Sequence, residues 1–223
     1  MCAWTVIQEE ASIVLVGSFN PKIFHPEWFI RKGIVEPWSY EDDKELIQVQ
    51  DYAGFCFPDE KRVSVLLDRF SITTPYASEQ LSIKDIVQST FSILSETPLY
   101  QLGMNYSATI KLDTNDEWLK FGATLAPKQL WIDAAGYLND DQMDEAGLWE
   151  MTAFLPRPDS LKGCIRPKIS VKNIKERELV FLINSHVELE ESTRVDSILE
   201  SHWDDSLTLA TKIINNIVKT QLG

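Results

Sequence analysis

Leu102-Gly103-Met104-Asn105-Tyr106-Ser107-Ala108-Thr109-Ile110-Lys111-Leu112 is the cleanest alternation in the chain. Leu102, Met104, Tyr106, Ala108, Ile110 and Leu112 share one phase, and Asn105, Ser107, Thr109 and Lys111 share the other. Successive side chains of a strand point to opposite faces, so this segment predicts a strand with one buried face and one polar face. Upstream, Ile13-Val14-Leu15-Val16-Gly17-Ser18-Phe19 is almost wholly apolar and stops at Asn20-Pro21, which predicts a central or doubly covered strand. Val63, Val65 and Leu67 alternate with polar neighbours, and residues 62–72 read as one further strand that Pro75 ends. Residues 45–57 have room for another, with Cys56 as a small buried hydrophobe.

Downstream, residues 163–174 alternate in charge. Arg166, Lys168 and Lys172 fall on one face and Ile165, Ile169 and Val171 on the other. A short polar turn over 173–177 leads into residues 178–190, where Leu179, Phe181, Ile183, Val187 and Leu189 share a buried face, so the pair reads as an antiparallel hairpin. His186 falls on its polar face near Lys168 or Arg166, Lys172 is expected near Glu178, and Val180 and Leu182 share the outer side. Charge beside aliphatics suits a mixed protein-binding surface, although a plain cross-strand ion-pair ladder explains the same residues.

Helices fill the intervals. Pro26 at a first position, Glu27 in the first turn, Arg31 and Lys32 in the last and Gly33 as a stop mark a short helix anchored by Trp28 and Phe29. Ile83, Ile86, Val87, Phe91 and Leu94 make one helical stripe. A short helix is expected around Trp118, and a long one from about Thr193 to Leu222 carries Val195, Leu199, Trp203, Leu207, Ala210, Ile214 and Ile217. The expected class is α+β, with largely antiparallel sheet covered by two long amphipathic helices. The halves share an order of strands then helix, so pseudo-repeated lobes are open. The division is 1–126 as an N-terminal lobe, 127–147 as an acidic connection and 148–223 as a C-terminal lobe, with one continuous domain as the alternative.

The segment from Val65 to Ile110, with its strand, its helix over 81–95 and Leu102-Gly103-Met104-Asn105-Tyr106, resembles a sporadically distributed family of uncharacterised prokaryotic proteins. Its members carry a Leu-Gly-x-x-Tyr strand after a comparable strand and helix and end in a long helix. Asn105 stands where that family usually has arginine, and Ser107 where it often has asparagine. The resemblance implies no activity.

The 223 residues carry a net charge of −13, and 44% are apolar, ample for a packed interior. That charge opposes general nucleic-acid binding and favours a basic protein partner. No apolar run approaches membrane-span length and residues 1–10 lack a leader pattern, so a cytoplasmic protein is expected. Cys2, Cys56 and Cys164 are too scattered for a disulfide framework or a zinc site. Nine single glycines form no phosphate cradle, the acidic clusters at 113–117 and 140–145 lack calcium-loop spacing, and no catalytic, metal or cofactor site is expected. Of the three histidines, His25, His186 and His202, none has a nucleophile's context, and His202 is expected beside Asp205.

The expected function is therefore non-enzymatic: a binding protein that recognises or masks a macromolecule, of antitoxin, immunity or phage-defence accessory type. Its candidate binding residues are Arg166, Lys168, Lys172 and His186 on the hairpin and Asp196, Glu200, Asp204 and Asp205 on the last helix. The alternatives are a small-ligand sensor with a pocket lined by Trp28, Trp38, Tyr106 and Trp131, or a metal-dependent hydrolase using scattered acids. Homo-oligomerisation is left open.

Overall fold

The protein was studied as a computed structural model that describes residues 4–40, 46–75, 80–136, 147–190 and 194–222. Cys2, the acidic run 41–43, the acidic segment 139–145 and the expected helix start at Thr193 lie outside the described residues. The strands are β1 Trp4–Gly17, β2 Ile47–Gln48, β3 Tyr52–Cys56, β4 Arg62–Leu66, β5 Arg69–Thr74, β6 Leu99–Leu112, β7 Glu150–Thr152, β8 Leu155–Pro156, β9 Gly163–Asn173 and β10 Glu178–Glu188. The helices are α1 Pro26–Arg31, α2 Gln80–Ile93, α3 Asn115–Leu125, α4 Lys128–Ala135 and α5 Val195–Leu222. The fold is α+β.

One antiparallel sheet runs β2-β3-β4-β5-β1-β6-β10-β9-β7, with β8 paired to β9. Its centre is the antiparallel pair β1 and β6, each fourteen residues long. Around β1 lie β3 to β5, and around β6 lie β7, β9 and β10, so the sheet is continuous across the two halves of the chain.

Every strand residue of the two hydrophobic cores projects to one side. Ile13 faces Ile72 and Met104 across the ladders, Leu15 faces Phe70 and Leu102, and Tyr106 faces Ile183. On that side lie the helices. Ile83 and Val87 of α2 pack with Phe24, Phe29, Phe55 and Trp203 in the first core, and Phe121 of α3 packs with Phe181, Ile214 and Val218 in the second. Trp203 is fully buried, and truncating such a side chain costs about 3–5 kcal/mol. The 28 residues of α5 span about 42 Å at 1.5 Å per residue, which is why one helix touches both cores. None of the described helices is long and apolar enough to cross a membrane.

Capping explains where the short helices begin. Before Pro26, His25 turns its Nδ1 to accept from the Glu27 amide at 3.2 Å, a capping role that Pro26 and Glu27 alone did not announce. Thr114 and Glu117 form a reciprocal capping box at the start of α3.

One expectation is corrected and two are resolved in detail. Residues 62–72 are not one strand but the hairpin β4–β5, in which Val65 pairs with Phe70. The apolar phase switches from odd positions (Val63, Val65) to even ones (Phe70, Ile72) across the turn, and Leu67 sits there 57% exposed. The apolar run of β1 is central but not doubly covered, because Val14 and Val16 face the side away from the helices and are only half-buried. Within 127–147, residues 128–135 form helix α4, closed by Gly136 at φ 64°.

Candidate binding surface on the open sheet face

The side of the sheet opposite the helices carries the polar phase of the alternation. Because the register is fixed across six strands, Arg62, Thr73, Ser12, Asn105, Asn184 and Arg166 fall into one transverse row. At its centre Asn184 Nδ2 donates to Asn105 Oδ1 at 2.6 Å, and Asn105 Nδ2 donates to Ser12 Oγ at 3.2 Å. Asn105 is 7% exposed. Beside them Gly103 leaves room for the amides: a Cβ there would stand 3.3 Å from Asn184 Nδ2, closer than most side-chain contacts. Asn184 Oδ1 is buried and accepts nothing among the described residues.

The next row places His186 directly opposite Cys164. Arg166 Nε donates to the Cys164 sulfur at 3.2 Å, and His186 is 9% exposed. Burial, and then the Arg166 charge, hold the His186 imidazole below its ordinary range, which favours the neutral ring. On the other flank half-buried Glu10 faces Ser107, and burial raises its carboxyl above the usual range against the opposing pull of Arg62.

The basic stripe lies on this face as the alternation requires. Arg166 is exposed and makes no ion pair among the described residues. Lys168 pairs with Glu150 of the edge strand β7 at 2.7 Å, a cross-strand ion pair of the bland kind. Lys172 does not meet Glu178. A register shift after Glu178 sets that residue against Asn173, and Lys172 Nζ instead lies 3.2 Å from Gln8 Oε1, stretched over β10 and β6. Beneath that span Thr109 is buried and Val180 half-buried.

The four acids of α5 divide. Asp196 pairs with Arg194 at 2.7 Å, and Glu200 receives Gln88 and Lys84 of α2 at 3.2 and 3.4 Å. Asp204 and Asp205 are exposed and make no ion pair among the described residues. His202 faces Asp159 at 3.7 Å rather than Asp205. Asp159 in turn holds Arg157 through two contacts of 2.8 and 2.6 Å, and Arg157 donates to Ser185 Oγ at 2.8 Å. Arg157 holds the Asp159 carboxyl below its usual range. Ser185 and His186 do point to opposite faces, as strand neighbours must, and Ser185 meets Ser206 of α5 at 3.2 Å.

The four aromatics expected to line one pocket are not together. Trp28 packs on Phe24 and Phe29 and Trp38 on Phe57, both at the first core, whereas Tyr106 belongs to the second and donates to Glu9. Trp131 is 61% exposed on α4. Among the described residues no group of three or more His, Cys, Asp or Glu side chains could hold a metal ion.

Neither the family models nor the curated proteins include a match to this chain.

Periodicity identified the polar phase of β6 and the basic phase of β9 but not their meeting point. Ser12 hides in an apolar run and Arg62 at the start of a strand; only the register between distant strands aligns them with Asn105 and Asn184.

Proposed function

We propose that this protein acts by binding: the open sheet face docks on a macromolecular partner and masks it, in the manner of an antitoxin, an immunity protein or a phage-defence accessory protein. The observation that carries this reading is the row from Arg62 to Arg166 on a face that no described helix covers, with exposed arginines at its ends and half-buried Thr73, Ser12 and Asn184 and buried Asn105 between them. A merely solvated sheet face has no need of fixed side chains. Here Asn105, Thr109 and His186 are each less than a tenth exposed, so little ordering remains to be done when a partner arrives. Half-buried Val14, Val180 and Leu182 supply apolar area between the polar groups, the mixture that protein interfaces use.

The charge of −13 steers a basic protein toward the molecule as a whole, with Asp204 and Asp205 on the helical side, while the stripe of Arg166, Lys168 and Lys172 calls for an acidic patch within that partner. A reducing cytoplasm suits the free thiol of Cys164. Each half of the chain runs a long strand, a helical segment, further strands and a helix, which supports reading the two halves as duplicated lobes.

The test is capture of the partner from native cells by immobilised wild type, by the face variant Arg166→Glu/Leu182→Glu and by the helix variant Asp204→Lys/Asp205→Lys. Loss of at least tenfold of the captured partner is expected for the face variant, with a smaller loss for the helix variant. Undiminished capture by a folded face variant overturns the reading.

A further inference from the structure

On the helical side, at the end of the molecule away from the first core, α3 stands off the β9–β10 hairpin and leaves a cavity of about 450 Å³. Its walls include Trp118, Phe121 and Gly122 of α3, Val171 and Leu179 of the hairpin, and Trp149 just before β7. It opens past Trp149 and Ile174, which are 71% and 60% exposed.

Gly122 is what makes this more than loose packing. It lies in the interior of α3, where glycine costs stability against nearly every other residue because it has the most conformational freedom to lose. It also lies on the stripe of Trp118, Phe121 and Leu125 that packs toward the second core, where helix pattern calls for a larger apolar residue. Glycine on a packed face is usually explained by a close neighbour. Here a Cβ would meet no atom of the described residues within 4 Å, so none of them demands its absence. What the missing side chain provides is space, in a recess walled by two indoles, a phenyl ring and aliphatics, with Lys128 as the one charged side chain among the described walls.

We propose that this cavity is a binding site for a small, uncharged aromatic molecule. The volume lies in the range of small-molecule sites, about 300–1,000 Å³, and the flat walls of Trp118, Phe121 and Trp149 suit a planar ring system through stacked or edge contacts. The site is on the opposite side of the sheet from the polar row and stands independently of the masking function.

The probe is N-phenyl-1-naphthylamine, uncharged and fluorescent in apolar surroundings, titrated against the full chain. Wild type is expected to bind it saturably at one site. Gly122→Phe fills the recess while improving helix propensity, so it is expected to weaken the probe at least tenfold with an unchanged or higher melting temperature. Leu130→Lys alters an exposed apolar residue of α4, 63% exposed and outside the cavity, and is expected to bind as wild type. Leu182→Glu on the open face is also expected to leave the probe's affinity unchanged, which separates this site from the docking surface. Non-saturating binding, wild-type affinity in Gly122→Phe, or loss of binding in Leu130→Lys overturns the proposal.

Discussion

Asn184 and Asn105 sit directly opposite each other on β10 and β6, and the 2.6 Å amide contact between them is the first of two links in a chain that ends on Ser12 of β1. A cross-strand pair this short, on a face that no described helix covers, ties β10 to β6, and the Asn105–Ser12 bond then ties β6 to β1 where the two halves of the sheet meet. The pair should therefore act as a unit. Asn184→Ala and Asn105→Ala are each expected to cost roughly 1–2 kcal/mol in urea unfolding, and the double variant less than the sum, because either single change already breaks the link. Strict additivity would show that the amides are independent.

His186 is buried beside the Arg166 guanidinium, and both effects favour the neutral ring. Its folded pKa lies below its unfolded one, so its contribution to stability is complete above the ordinary imidazole range and is lost as pH falls through the depressed value. In a nuclear magnetic resonance titration of the imidazole signals, His186 is expected to protonate at lower pH than a free histidine. Arg166→Gln should move it back upward by removing the secondary cause while leaving burial in place.

Glu10 shows the opposite sign. Burial is the larger effect and raises its carboxyl, so the folded state holds the proton to higher pH than the unfolded chain does. The contribution is favourable in acid and is lost as pH rises through the raised value. Glu10→Gln is expected to raise the melting temperature at neutral pH by at most about 2–4 °C, since the side chain is only half-buried, and to have no such effect in mild acid. Thermal unfolding at the two pH values checks it.

The Arg157 side chain is 3% exposed and depends on Asp159, itself 26% exposed. Asp159→Ala leaves the guanidinium buried against Ser185 and the His186 carbonyl with no carboxylate, and is expected to cost roughly 2–4 kcal/mol in denaturant unfolding. The contribution of Asp159 is present above the ordinary carboxylate range and fades as pH falls through its lowered value, so the penalty should shrink in acid.

Sequence periodicity captured the α+β class, the β9–β10 hairpin, the stripe of α2 and the polar phase of β6, because each depends on local side-chain spacing. It missed the β4–β5 turn, where Leu66 and Leu67 look like core yet are 42% and 57% exposed at a bend in the chain. The open face was harder for a different reason. Whether Arg166 stands beside Asn184, or Lys172 reaches Gln8, is decided by strand order and by the register shift after Glu178, and neither leaves a trace in the neighbouring residues. The acids of α5 were visible as a stripe, but the claim of α2 on Glu200 through Gln88 and Lys84 is a tertiary contact that no helical repeat announces.

Site-specific photo-crosslinking in native cells tests the central claim most directly. A benzophenone side chain at Leu182 on the open face is compared with one at Lys212, exposed on α5. A single basic protein crosslinked through residue 182, and not through 212, is the result predicted. Crosslinks that form through 212 alone, with none through residue 182, would contradict a docking role for the open face.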